Sequence, residues 1–151
     1  LVNFGPVILL GAYFVQAGTF AAEPLIVSLV PGFMMWSMIV INEIPDYEAD
    51  RRGGKLNLVA RFGRRTGAVL YAAGLAAAYG TLVVAALAGL LPPLALLGLA
   101  SLPFAFKSFV VMRRHLNDPL ALAPANLAMI KVHFATGIGL ITAYLIELYR
   151  F

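Results

Sequence analysis

The sequence predicts an all-α fold, a polytopic bundle of about five transmembrane helices, on three observations. Hydrophobic residues make up 62% of its 151 residues and charged residues 12%, about half the roughly 25% charged share of a soluble globular domain. The apolar residues fall into runs near the roughly 20 residues that a helix needs to cross the hydrocarbon core. The charged residues, 11 basic and 7 acidic, are too few to cover a water-soluble core of this size, so lipid must cover the rest.

The first run, Val2 to Ala22, carries Gly5-Pro6 near its start and stops at Glu23-Pro24. The second, Leu25 to Ile44, contains Pro31-Gly32, and both proline pairs predict kinks that neighbouring helices must accommodate. A charged stretch from Pro45 to Arg65 follows, then a third run from Thr66 to Leu91. Its Gly67, Gly74 and Ala78 suit close helix packing. Pro92-Pro93 punctuates the chain before the fourth run, Pro93 to Met112. A second polar stretch, Arg113 to Pro124, precedes the fifth, Asn126 to Tyr149, which holds Gly137 and Gly139. Prolines 24, 93 and 124 stand at span starts, where a missing N–H costs little. The opening on apolar sequence without an initial Met predicts that the chain is a fragment with sequence upstream of it.

Five spans put the stretches 45–65 and 113–125 on one face of the membrane. Together they hold Arg51, Arg52, Lys55, Arg61, Arg64, Arg65, Arg113 and Arg114, whereas the opposite loops hold no Lys or Arg. The positive-inside rule places the charged loops in the cytoplasm. Lys107 and Lys131 lie toward the basic ends of their spans and can snorkel there, while Arg150 falls on the other side. With basic residues tied to span ends, nucleic-acid binding is a poor account of the net charge of +4. The absence of cysteine excludes disulfides, a thiol nucleophile and thiolate metal ligands.

Chemistry concentrates between Asn42 and Lys55, where most of the acids stand. Asp46 and Asp50 are four apart, so on a helix their carboxylates share a face able to hold a divalent cation. Magnesium prefers oxygen ligands and is commonly bound by one or two carboxylates together with substrate phosphates. Gly53 and Gly54 permit close backbone approach, and Lys55, Arg61, Arg64 and Arg65 offer donors to an anion. A plainer reading stays open on spacing alone: a solvated connector with ion pairs four residues apart, such as Glu48 with Arg52. His115 and His133 lack a paired metal-ligand spacing, and His133 is expected to form a hydrogen bond between helices.

The run N-E-I-P-D-Y-E-A-D-R-R-G-G-K-L-N-L-V-A-R-F-G, residues 42–63, resembles the second aspartate-rich motif of the UbiA superfamily of intramembrane aromatic prenyltransferases. The first span, with G-A-Y-F-V-Q-A-G at 11–18, is similar to the branch that prenylates dihydroxynaphthoate in menaquinone synthesis. The resemblance covers essentially the whole chain. It implies that residues 1–151 form one membrane domain, the C-terminal part of a nine-helix fold in a prokaryotic inner or plasma membrane, with a prenyl diphosphate and an aromatic acceptor as substrates and Mg2+ as cofactor. By the same resemblance Asp46 and Asp50 bind magnesium, Lys55 contacts diphosphate, and Asn42 and Arg61 belong to the same polar site. Tyr13 and Gln16 are candidates for an acceptor pocket, a core tyrosine and a helix-bonded glutamine being the alternatives. Two departures stand out: the family's first motif, N-D-x-x-D-x-x-x-D, is not among these residues, and Asn57 stands where many relatives carry Thr. The first departure predicts that this segment alone is inactive.

Two rivals remain at this stage. A CDP-alcohol phosphatidyltransferase also uses membrane-surface aspartates, but its D-G-x-x-A-R opening is missing here. A transporter or scaffold segment would place charged residues inside the spans facing a pathway, yet Lys107, Lys131 and Glu147 lie toward span ends.

Overall fold

The computed structural model describes residues 1–149, and Arg150 lies outside them. Among the described residues the chain is helical, with no strand. Four helices reach membrane-spanning length: α2 (Ala22–Glu43), α5 (Arg64–Leu87), α6 (Pro93–Arg114) and α7 (Ala123–Leu148). The first apolar run forms a shorter helix, α1 (Asn3–Ala17). It begins as a π-helical turn because Pro6 has no N–H to give, and the Val7 N–H reaches five residues back to the Val2 carbonyl at 3.1 Å. It ends early at Gly18, whose left-handed φ of 68° closes the helix five residues before Glu23. The first nine residues of α6, Pro93–Ser101, wind as a 3-10 helix before continuing as α-helix.

The charged stretch between α2 and α5 contains two short helices, α3 (Tyr47–Arg52) and α4 (Leu58–Phe62). α2 packs along α5 and also against α7, which in turn packs on α6. Small residues let these axes approach. A Cβ on Gly74 would overlap Ser37 Oγ, and one on Gly139 would stand 2.8 Å from the backbone of Leu97 and Gly98. Gly137 differs from the expectation of close packing: a Cβ there meets nothing within 4 Å, because it faces a groove.

Polar side chains inside the bundle find partners across helices, as a hydrocarbon surround demands. The Tyr71 hydroxyl donates to Ser108 Oγ at 2.6 Å, and Ser108 donates to the Ala125 carbonyl at 2.8 Å, linking α5, α6 and α7. Thr136 Oγ1 donates to Ser101 Oγ at 2.7 Å, with the Tyr79 hydroxyl at the same distance from Ser101. Around them Met34, Ile41, Tyr71, Leu82, Met112 and Met129 are fully buried. The outer faces carry exposed Phe106, Phe134, Ile138 and Leu148, an apolar surface suited to lipid.

Two side-chain hydrogen bonds fasten α2 to α7. Asn126 Nδ2 donates to Asn42 Oδ1 at 2.8 Å at the end that carries both charged connections, and the Tyr144 hydroxyl donates to Glu23 at 2.9 Å at the other end. The two charged stretches thus share one end of the bundle, as the charge count predicts.

Candidate functional site

The site is built where α2 ends and the chain turns into α3. Asp46 immediately precedes α3, and the Asp50 N–H donates to its carbonyl at 2.8 Å, so the two aspartates stand one helical turn apart. The Asp46 carboxylate is exposed and makes no capping bond. Asp50 is held instead: Lys55 Nζ lies 3.1 Å from Oδ2 and 3.3 Å from Oδ1, and Asn57 Nδ2 donates to Oδ2 at 2.6 Å. The turn that returns Lys55 to Asp50 uses Gly54 at φ 71°, and the Lys55 N–H closes it on the Asp50 carbonyl at 2.8 Å.

Asn57 was visible in the sequence only as a departure from Thr, yet it joins the two short helices. Its Oδ1 accepts the Ala60 N–H at 2.7 Å, capping α4, while its Nδ2 holds Asp50. An Asn before the run L-V-A-R-F is a readable N-cap signal; the second bond is not readable, because it depends on how the turn at 53–54 folds back. Glu43, at the end of α2, accepts the Val59 N–H at 3.4 Å and ties the same short helix from below.

Arg64, read from the sequence as a donor to an anion, is the other organiser of the loop. Only 16% of its side chain is exposed, with Nε near the Ile44 carbonyl at 3.5 Å, its guanidinium 4.7 Å from the Tyr47 ring centre, and NH1 3.4 Å from Glu48. This corrects the expected Glu48–Arg52 pair. Arg52 donates to the Glu48 backbone carbonyl at 3.2 Å, because the start of α5 brings the half-buried Arg64 to the Glu48 carboxylate. Arg51 donates to the Tyr47 hydroxyl at 2.7 Å.

The predicted residues do not all converge. Asp50 and Lys55 come together with Asp46 one turn before them, and Asn42 lies one turn before Asp46, engaged with Asn126. Arg61 is exposed at the end of α4, outside the ion pairs. Tyr13 and Gln16 sit on α1, which packs Gly5 against Ser28 and Gly32 in the far half of α2. Gln16 donates to the Ala12 carbonyl at 3.1 Å and shares a groove of about 880 Å³ with Val27, Pro31 and Tyr144. At 1.5 Å per residue Val27 is about 24 Å along α2 from Glu43, so α1 does not bring these two side chains to the aspartates. His133 does not form the expected bond between helices. Its Nδ1 is buried without a partner among the described residues: across the groove Pro31 and Met34 offer no polar side chain, and Thr136 on the same helix is bonded to Ser101.

The donor set fits a hard divalent cation: two carboxylates a turn apart, one already fixed by Lys55 and Asn57. No group of three or more acidic, His or Cys side chains is gathered among the described residues, so further ligands would be water or substrate oxygens.

Against known proteins, the chain is 23% identical over 144 residues to the 2-carboxy-1,4-naphthoquinone phytyltransferase of Synechocystis sp., covering 95% of this chain and 47% of that protein. It is 26% identical over 146 residues to the 1,4-dihydroxy-2-naphthoate octaprenyltransferase of Bacillus subtilis, with the same coverage of each. The chain therefore spans about half the length of the curated relatives it matches. No solved structure matches it. The model of the UbiA prenyltransferase family matches residues 1–131, the whole of α1 to α6 with the aspartate-bearing turn, and the chain belongs to that family.

Proposed function

We propose that this chain carries the diphosphate-handling part of an intramembrane prenyltransferase that moves an isoprenyl group from a prenyl diphosphate to an aromatic acceptor of the naphthoate type. One observation carries the reading: Asp46 and Asp50 stand a turn apart at the charged end of an apolar bundle, with Lys55 folded back onto Asp50. The names of the two relatives support the acceptor class.

On this reading Asp46 and Asp50 hold Mg2+, which when bound supplies electrophilic stabilisation of the diphosphate leaving group. Lys55, whose side chain is 63% exposed, offers its ammonium to diphosphate oxygens, while Asn57 keeps the Asp50 carboxylate in place. Arg61 adds a second cation at the exposed end of α4. Asn42, held by Asn126, fixes where α2 gives way to the aspartate turn. The spans exclude water, so an allylic cation meets the electron-rich ring instead of being quenched. The domain is the C-terminal part of the parent enzyme and supplies one of two aspartate-rich motifs. Its charged loops face the cytoplasm of a prokaryotic cell.

The test is an assay in membranes bearing the natural polypeptide that contains these residues, with magnesium, a labelled prenyl diphosphate and a panel of aromatic acceptors. Product that is lost in both Asp46→Ala and Asp50→Ala supports the reading and identifies the acceptor. Activity indifferent to both substitutions makes the turn a connector.

A further inference from the structure

We propose that Lys107 and Lys131 form a seat for the phosphate of an anionic phospholipid, in the leaflet on the charged-loop side of the bundle. Both lysines line one small cavity of about 90 Å³ between α6 and α7, with Phe104, Pro124, Leu127 and Ala128 completing its wall. Lys131 Nζ lies 5.9 Å from the Phe104 ring centre, which leaves the ammonium short of a true counter-ion. Neither lysine has an ion pair among the described residues, and no acidic residue lines the cavity.

Depth makes the pair unusual. Lys107 is seven residues from the end of α6 and Lys131 eight from the start of α7, so both lie about 10 to 12 Å below the helix ends at 1.5 Å per residue. Two exposed ammoniums at one level, near the headgroup boundary, repel each other and are costly to desolvate. Arg113 and Arg114 lie above them, and Arg113 packs on the Phe109 ring at 5.7 Å instead of on an acid. The nearest acid in sequence, Asp118, is taken up by the N–H groups of Leu120 and Ala121, each at 3.1 Å. The cavity between α6 and α7 is thus cationic with no acid in its lining, and a phosphodiester at headgroup depth supplies the missing charge. Basic pockets between transmembrane helices take lipid headgroups in this way. A net-anionic lipid fits better than a zwitterionic one, whose own ammonium competes with the lysines. The proposal is independent of prenyl transfer.

The test is native mass spectrometry of the purified protein from mixed micelles of phosphatidylglycerol and phosphatidylcholine, with Lys107→Gln/Lys131→Gln as the variant. The expected result is one retained phosphatidylglycerol, bound about twenty-fivefold more weakly by the double variant, at about fivefold per lysine. Equal retention of both lipids by the unaltered protein overturns the proposal, and that comparison decides the matter if the variant does not fold. Undiminished retention by a folded variant overturns it too. Displacement of the lipid by inorganic diphosphate at micromolar concentration would reassign the seat to a soluble anion.

Discussion

Asn57 reaches the Asp50 carboxylate at 2.6 Å with one end of its amide and accepts the Ala60 N–H at 2.7 Å with the other. One side chain therefore couples the helix that carries the aspartate to the start of the next. Asn57→Ala removes both bonds and is expected to cost about 1 to 2 kcal/mol. Thr, a competent N-cap without the amide that holds Asp50, should recover only part of that loss, about 0.5 to 1 kcal/mol. Unfolding in a sodium dodecyl sulfate titration of mixed micelles measures both. Equal losses for Ala and Thr would show that the cap contributes nothing.

The two aspartates differ in what their removal disturbs. Both Asp46→Asn and Asp50→Asn are expected to lower prenyl transfer at least a hundredfold, about 3 kcal/mol of barrier. Only the change at Asp50 should also loosen the turn, since Lys55 and Asn57 both close on it. Limited proteolysis between residues 46 and 57 reads this out: faster cleavage in Asp50→Asn and an unchanged rate in Asp46→Asn are expected.

Arg64 and Glu48 are joined at 3.4 Å, but they contribute unequally. Arg64→Ala gives up the Ile44 carbonyl, the Tyr47 ring and buried methylene area, and should destabilise by about 1 to 3 kcal/mol. The Glu48 side chain is 61% exposed, so Glu48→Ala should stay within about 0.5 kcal/mol. A loss at Glu48 as large as that at Arg64 would mean that the ion pair, not the packing, holds the loop.

Gly137 and Gly139 lie two residues apart on α7 with opposite surroundings. A methyl at Gly139 presses on the Leu97 and Gly98 backbone, which cannot swing away, and Gly139→Ala should cost about 1 to 3 kcal/mol. At Gly137 the added methyl meets open groove, so Gly137→Ala should be neutral or stabilising by up to about 1 kcal/mol. Melting temperatures of the two variants in one detergent compare them directly.

Much of this arrangement was legible in the sequence, and the limits have physical causes. Apolar run length and the prolines at 24, 93 and 124 located the long helices to within a few residues, because hydrocarbon permits few alternatives to helix. The first run was overestimated, since Gly18 turns left-handed inside sequence that stays apolar to Ala22. Within the site, the four-residue spacing of Asp46 and Asp50 is a local property of helix and could be read directly. What Asn57, Arg64 and Glu43 do depends on how a turn and two short helices fold back, and no spacing rule encodes that. Sequence left Gln16 open between a pocket residue and a helix-bonded one, and its bond to the Ala12 carbonyl accompanies a place in a groove, whereas the partnerless His133 depends on which face of α2 lies opposite.

The Asn42–Asn126 bond spans 84 positions of sequence. During synthesis the end of α2 and the aspartate turn leave the ribosome well before any residue of α7 is made. For that interval Asn42 has no partner across the bundle, and the root of the turn is unanchored on that side. The polar site therefore takes its final posture only when the last of the described helices is inserted, which makes its assembly a late event in biogenesis rather than a local one.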